Sequence, residues 1–251
     1  MVELGKSPHE LLLVSGIGQA SKLPHYLKCN TFNGLHGRMI PAAVGAKIAN
    51  KELTVIAVGG DGDCYGEGTN HFIHNIRRNV DITLLLHNNQ VYGLTKGQAS
   101  PTSDLGFKTK VQVRGVEIPP LNPLALAIAL DCSFVARGFA GEREHLSHLI
   151  VEAARHRGFA LVDILQPCVI WNKVNTFKWY RDRVYQLGEG YDSGQRIPAF
   201  EKALEWGERI PLGIIYKNER PTFDEINPIM QGEPLWRRKT AKTAFKELYP
   251  I

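Results

Sequence analysis

The sequence predicts an α/β fold, a parallel sheet with helices on both faces. Several short apolar runs are continuous rather than alternating, which means burial on both faces and hence parallel strands. Helix-like stretches separate these runs, and a strand–helix alternation forces right-handed crossovers. Turn-rich segments follow three of the runs directly, where such a fold gathers its ligand-binding loops.

The elements follow in chain order. Leu11-Leu12-Leu13-Val14-Ser15 is a first strand, stopping at Gly16-Ile17-Gly18. Residues 38–50 read as a helix, with Ala42, Ala43, Ala46 and Ala49 at helical spacing. Leu53-Thr54-Val55-Ile56-Ala57-Val58 is a second strand, rich in β-branched residues and ended by Gly59-Gly60-Asp61-Gly62-Asp63. A helix over 70–78 carries Phe72, Ile73 and Ile76, and the strand Ile82-Thr83-Leu84-Leu85-Leu86 stops at His87-Asn88-Asn89. Helices over 123–130 and 142–157 flank the strand Phe134-Val135-Ala136, and Phe159-Ala160-Leu161-Val162-Asp163-Ile164-Leu165 closes the series. These elements make residues 1–166 one α/β domain. From Pro167 the pattern loosens into Gly, Pro, charge and scattered Trp and Tyr, so 167–251 reads as a C-terminal extension packing on the domain or on a partner subunit.

Composition bounds the function classes. With 251 residues, 43% hydrophobic and 22% charged, the chain can bury a core and is too apolar for a disordered one. No apolar run reaches the roughly 18 residues of a bilayer span, and the N-terminus lacks a secretion signal. A cytoplasmic protein with no membrane association is the expectation. The net charge of +5 is scattered. Its densest group, Arg237-Arg238-Lys239 with Lys242 and Lys246, reads as a solvated helix face, and no nucleic-acid partner is expected. The four cysteines, Cys29, Cys64, Cys132 and Cys168, form no C-x-x-C pair and read as reduced thiols, mostly small core residues.

Chemistry concentrates in the loops at 16–21, 59–66 and 87–95. In Gly59-Gly60-Asp61-Gly62-Asp63 the glycines let backbone N–H groups approach an anion, while the aspartates can hold a hard cation. A calcium loop needs an oxygen ligand at position five and Glu at twelve; Tyr65 and Phe72 stand there, so that reading fails. A dinucleotide fingerprint at Gly16-Ile17-Gly18 ends in Ser21, and a lone G-x-G is weak evidence. Asn89, 28 positions after Asp61, changes the picture. The spacing equals helix, strand and turn, and brings an Asp carboxylate and an Asn amide to adjacent strand ends beside the Val91 carbonyl. Three oxygens plus a diphosphate suit octahedral Mg²⁺. This G-D-G…N-N block is the signature of thiamine-diphosphate enzymes.

Further strings narrow the resemblance. Val14-Ser15-Gly16-Ile17-Gly18, Leu35-His36-Gly37-Arg38, Asn70-His71-Phe72 and the run from Tyr92-Gly93-Leu94-Thr95-Lys96 to Ser103 resemble the β subunits of 2-oxoacid:ferredoxin oxidoreductases. So do Phe134-Val135-Ala136-Arg137-Gly138-Phe139 and Glu219-Arg220-Pro221-Thr222-Phe223. The resemblance covers about residues 12 to 224 and is closest to two-subunit forms that use 2-oxoglutarate or pyruvate.

That resemblance implies a thiamine-diphosphate-binding fold, with Asp61, Asn89 and the Val91 carbonyl holding Mg²⁺. It implies that Ile17, Gly18, Gln19, Ala20, His36, Gly37, Arg38, Gly62, Asp63, Gly93 and Leu94 line the cofactor. The alternative for His36 is a buried, satisfied histidine. Lys22 and Lys96 are candidates for the substrate carboxylate or for coenzyme A, against the alternative of solvated loop lysines. The implied activity is coenzyme-A-dependent oxidative decarboxylation of a 2-oxoacid, 2-oxoglutarate ahead of pyruvate, with ferredoxin as acceptor. The carboxylate that activates thiamine comes from the α subunit in this family, so an α partner is expected.

The chain departs from the family at its cysteines. The family's C-P-G-C segment would stand before the start of this chain, and Gln19 occupies the position of a third cysteine. Only Cys168, in Gln166-Pro167-Cys168, matches the set that binds a [4Fe–4S] cluster, and one thiolate cannot hold a cluster. The chain is expected to be cluster-free. The competing readings are a non-oxidative thiamine-dependent 2-oxoacid decarboxylase subunit and a non-catalytic homologue; the intact Asp61 and Asn89 argue against the latter.

Overall fold

The computed structural model describes residues 2–239. In chain order the strands are β1 (Leu11–Ser15), β2 (Asn30–Asn33), β3 (Thr54–Gly60), β4 (Ile82–Asn88), β5 (Val91–Tyr92), β6 (Gln98–Ala99), β7 (Phe134–Phe139), β8 (Phe159–Leu165), β9 (Val184–Gln186) and β10 (Ile210–Lys217). The helices are α1 (Met39–Ala49), α2 (Thr69–Arg78), α3 (Pro123–Ala129), α4 (Arg143–Arg155), α5 (Phe177–Arg181), α6 (Arg196–Leu204) and α7 (Phe223–Ile226).

Eight strands form one sheet in the order β2-β1-β3-β4-β8-β7-β10-β9. From β2 to β7 every neighbouring pair is parallel, while β10 pairs antiparallel with β7 and parallel with β9. The continuous apolar runs have the expected cause. Every residue of β7 and β8 is buried, and successive side chains serve opposite faces. Val55, Ala57, Leu84, Leu86, Val135 and Leu161 pack with α1, α2, α3 and α6 on one face. Ile56, Val58, Leu85, Ala136 and Val162 pack with Leu149 and Ala153 of α4 on the other. Helices thus cover both faces.

Crossing direction sets where the site falls. The chain runs outward from β1 through β3 to β4 with α1 and α2 on one face, then returns from β7 to β8 with α4 on the opposite face. The switch point is therefore between β4 and β8, and a crevice opens there at the carboxyl ends of the strands.

Beyond the expected strands of the main sheet, the structure adds β2 and the β9–β10 pair. Sequence reading missed β10 because Pro211 and Gly213 interrupt its apolar pattern. The strand tolerates both: Gly213 adopts φ +135°, and a register shift lies between Ile214 and Tyr216. In the basic cluster near the C-terminus, Arg237 pairs with Glu52 at 3.1 Å and Arg238 donates to the carbonyls of Ile229, Gln231 and Glu233. Lys242 and Lys246 lie outside the described residues. Among the described residues no helix is long and apolar enough to cross a membrane.

Phe72 joins α2 to the sheet, fully buried, with edge contacts to Tyr65 at 5.4 Å and Phe159 at 6.1 Å. Phe72→Ala should cost about 3–5 kcal/mol of unfolding free energy, because the aromatic cage cannot close on the cavity. Denaturant titration measures this; a loss below about 1 kcal/mol would contradict the packing of this ring.

Candidate functional site

A cavity of about 690 Å³ opens at the switch point, walled by the turns that follow β1, β3, β4 and β8. Ile17, Gly18, Gln19 and Ala20 come from the first turn, Gly60 to Asp63 from the second, and Asn89 with Val91 to Thr95 from the third. His36 adds a wall from the loop before α1. The cavity therefore gathers Asp61, Gly62, Asp63, Asn89, Val91, Gly93 and Leu94. Gly37, Arg38, Lys22 and Lys96 do not line it. Gly37 stands behind, its N–H donating to Asp63 Oδ1 at 2.7 Å. Arg38 is exposed beside His71, with Nη1 3.3 Å from the ring Nε2. Lys22 and Lys96 are exposed, Lys96 on the tight turn between β5 and β6 with φ +78°.

Sequence reasoning missed the fourth wall: Gln166, Pro167, Val169, Ile170 and Phe177, beside Cys168. It also passed over His87, which lies near the end of β4 and bonds through Nδ1 to Gln166 Oε1. Burial lowers the His87 imidazole below the usual histidine range, against the pull of that bond. The sequence marks both residues only as the ends of apolar strands; that these two strands are neighbours comes from the sheet order.

The two acidic residues of the β3 turn are held differently. Asp61 is 1% exposed, and among the described residues its carboxylate partners are all neutral. The hydroxyls of Ser100 and Thr102 donate to Oδ2, Thr102 at 2.9 Å, and the Asn89 N–H reaches Oδ1 at 3.4 Å. Burial raises its pKa, with these donors opposing the shift. Asp63 accepts from Gly37 and, at 3.3 Å, from Ile17, and His36 Nε2 lies 3.7 Å away. Burial raises Asp63 as well, and its Oδ2 has no hydrogen-bond partner among the described residues. After Asp61 the chain enters a π-helical turn, Gly62–Glu67, a rarity often found at functional sites. Asn89 Oδ1 accepts from its own loop, at the Val91 N–H 3.1 Å away.

The four cysteines are dispersed: Cys64 and Cys132 are buried, Cys29 and Cys168 half-buried. Among the described residues no group of three or more His, Cys, Asp or Glu side chains is arranged to hold a metal ion. The cysteines present do not fit a [4Fe–4S] cluster.

Residues 15–164 match the thiamine pyrophosphate enzyme C-terminal TPP-binding domain, and 168–231 match the C-terminal region of the pyruvate ferredoxin oxidoreductase β subunit. A 2-oxoacid:ferredoxin oxidoreductase β subunit of Aeropyrum pernix is 47% identical over 243 residues, covering 92% of this chain and 79% of that one. The chain belongs to this family of β subunits. A 2-oxoglutarate oxidoreductase subunit of Mycobacterium tuberculosis is 45% identical over 170 residues, 68% of this chain and 46% of its own. Among solved structures, the 2-oxoglutarate:ferredoxin oxidoreductase of Magnetococcus marinus, with 2-oxoglutarate, coenzyme A and succinyl-CoA bound, superposes with a TM-score of 0.87 at 37% identity. The match covers 89% of this chain and 77% of that one. The chain is thus a thiamine-diphosphate-dependent oxidoreductase subunit, and most of the residues that line the crevice at the switch point fall within its TPP-binding domain.

Behind the cavity of this β subunit lies a polar layer. Arg137 of β7 and Asp163 of β8 are register partners on neighbouring strands, each 2% exposed. Burial pushes the Asp163 carboxyl up to about 7, with the Arg137 charge and the Asn88 amide holding it back. An unfolded Asp titrates near about 3.9. Between these values the folded chain keeps a proton that the unfolded chain has lost, so this group makes stability fall as pH rises from about 4 to 7. Asp163→Asn should remove that fall. Unfolding free energies measured across the window in both proteins check it, and an unchanged slope contradicts the assignment.

Proposed function

We propose that this chain holds the diphosphate end of thiamine diphosphate through Mg²⁺ in a coenzyme-A-dependent 2-oxoacid:ferredoxin oxidoreductase, with 2-oxoglutarate as the favoured substrate and pyruvate next. One observation carries the reading: the Asp61 turn, the Asn89–Val91 turn and the Ile17–Ala20 turn meet in a single cavity at the switch point.

The donor set fits the cation. A carboxylate, an amide oxygen and a backbone carbonyl are hard oxygen ligands, and Mg²⁺ takes such ligands together with phosphate oxygens. Among the described residues Asp61 has only neutral partners, and a buried carboxylate gains most from a cation. In this reading Asp61, Asn89 and the Val91 carbonyl hold Mg²⁺. Ile17, Gly18, Gln19, Ala20, His36, Gly62, Asp63, Gly93 and Leu94 line the cofactor.

The cofactor's chemistry is attack of a thiazolium carbon on the keto carbon and storage of the electron pair that departing CO₂ leaves. The chain's part is to bind, orient and exclude water. Ile17, Leu94, Val169 and Ile170 line the cavity yet are 42–66% exposed, so its mouth carries an apolar rim suited to a partner's cover. The lining carboxylates are Asp61 and Asp63, both on the diphosphate side in this reading. The acid that activates the pyrimidine ring then comes from an α subunit, in the cytoplasm where ferredoxin takes the electrons. The substrate preference draws support from the relative named for 2-oxoglutarate and from the neighbour solved with it. Lys22 and Lys96 stay candidates for substrate or coenzyme A contact only within that complex, since here both face solvent.

The test is viologen reduction by the complex co-expressed with its α subunit, with coenzyme A and either 2-oxoglutarate or pyruvate. Reduction that is faster with 2-oxoglutarate is the expected result. Asp61→Asn should lower it by about a hundredfold or more and abolish tight thiamine diphosphate binding. CO₂ release without reduction would instead assign the non-oxidative decarboxylase.

A further inference from the structure

The segment that follows β6 touches both halves of the candidate cation site, and none of its residues has a role in the reading above. Ser100, Thr102 and Ser103 are each at most 7% exposed. Three polar side chains buried so close together need a reason, because each costs free energy unless its hydrogen bonds are met.

Their bonds divide into two sets. Ser100 and Thr102 both donate to the same oxygen of Asp61, Oδ2. Oδ1 is left with one long contact at 3.4 Å from the Asn89 N–H. Two donors on one oxygen fix the carboxylate's rotation and leave the other oxygen available. Thr102 Oγ1 is also 2.9 Å from Asn88 Oδ1. A hydroxyl has one proton, and an ionised carboxylate outcompetes a neutral amide for it.

The second set holds the opposite wall. Gln90 sits between Asn89 and Val91 with φ +58°, a left-handed conformation that a residue with a Cβ seldom adopts. Its side chain donates to the Thr102 carbonyl at 2.7 Å and to Asp104 Oδ1 at 3.1 Å. Its carbonyl accepts from Ser103 Oγ at 2.6 Å. The left-handed residue turns the chain between its two neighbours, and the 100–104 segment keeps it there.

We propose that residues 100–104 form a clamp that presets the cation site, with Ser100 and Thr102 as positioning residues that aim Asp61 Oδ1 at the metal. The clamp rests on the Mg²⁺ reading above, and acts through Asp61 rather than by touching cofactor or substrate. Partners behind a metal ligand characteristically affect cation affinity by about ten- to a hundredfold.

The experiment uses Mn²⁺ as a spectroscopic probe, titrated into the co-expressed complex with thiamine diphosphate present and followed by electron paramagnetic resonance. Thr102→Val and Ser100→Ala should each weaken Mn²⁺ binding about ten- to a hundredfold, while Thr102→Ser, which keeps the hydroxyl, stays within about threefold of the unaltered protein. At saturating cation, thiamine diphosphate affinity should return to within about threefold in all three. Thermal melts identify any variant that has lost its fold, and Ser100→Ala, the mildest truncation, then decides the matter. Unchanged Mn²⁺ affinity in Ser100→Ala and Thr102→Val, with binding lost in Asp61→Asn, overturns the clamp alone. Wild-type Mn²⁺ binding by Asp61→Asn overturns the cation reading and the clamp with it.

Discussion

A carboxylate buried at the carboxyl end of β3 is the constraint on which the rest of this structure depends. Removing Asp61 from water is costly, and the surrounding protein offers it hydroxyls and one backbone N–H rather than a cation. Such a group is stable only where a sheet edge, a turn and a second loop are fixed against it at once. The parallel sheet supplies the edge, since β3 and β4 end side by side with Gly60 opposite His87 in register. The order of strands supplies the crevice. Core packing on both faces is therefore the support that lets a few polar atoms be held out of water at one end.

The same economy of space explains the glycines around Asp63. A Cβ on Gly16 would lie 1.9 Å from Asp63 Oδ2, and one on Gly59 would lie 2.5 Å from Met39 Sδ. Gly62 is equally confined, its absent Cβ falling 2.3 Å from the Tyr92 ring. These positions are glycine because side chains already fill the space, not because the turns need unusual dihedral angles. The Tyr92 hydroxyl also donates to the Gly62 carbonyl at 3.2 Å, so the β5 strand braces the turn it faces. The Asp61 and Asn89 turns are thus one packed object, which is why residues 28 positions apart in the chain stand side by side.

Much of the fold was legible because its signal was local. β1 and β8 run over the same residues in the sequence reading and in the structure, each an unbroken apolar run with a clear stop. The expected helices agree within about two residues at each end, where helices fray. The loops that carry Asp61 and Asn89 were legible through glycine and spacing. The wall from Gln166 to Ile170 was not, since it belongs to a stretch with no period and acquires its position only from β8 packing beside β4. Arg38, Lys22 and Lys96 show the opposite limit. They stand inside or beside strings that resemble the family, yet a string fixes which loop a residue occupies and not which way its side chain faces.

The residues after β8 contribute more to the Asn89–Val91 turn than their irregular sequence suggests. A left-handed Gln90 costs about 1–2 kcal/mol, so something must hold it. The Tyr180 hydroxyl of α5 donates to Gln90 Oε1 at 2.9 Å, and Asn172 donates to the Asn89 carbonyl at 3.2 Å. Asp104, which accepts from Gln90, is itself anchored by Asn175 at 3.0 Å and by the Trp206 indole at 3.2 Å. Trp179, Tyr180 and Trp206 pack edge-on or tilted at 5.0–6.4 Å, joining these donors into one aromatic cluster beneath the turn. Hydrogen bonds in such a shielded setting are stronger than in water, and their loss leaves each partner unsatisfied. The strained turn therefore belongs as much to α5 and Trp206 as to β4. The scattered Trp and Tyr of the later sequence are not decoration on a finished domain but the means by which its turn keeps a conformation it would otherwise leave.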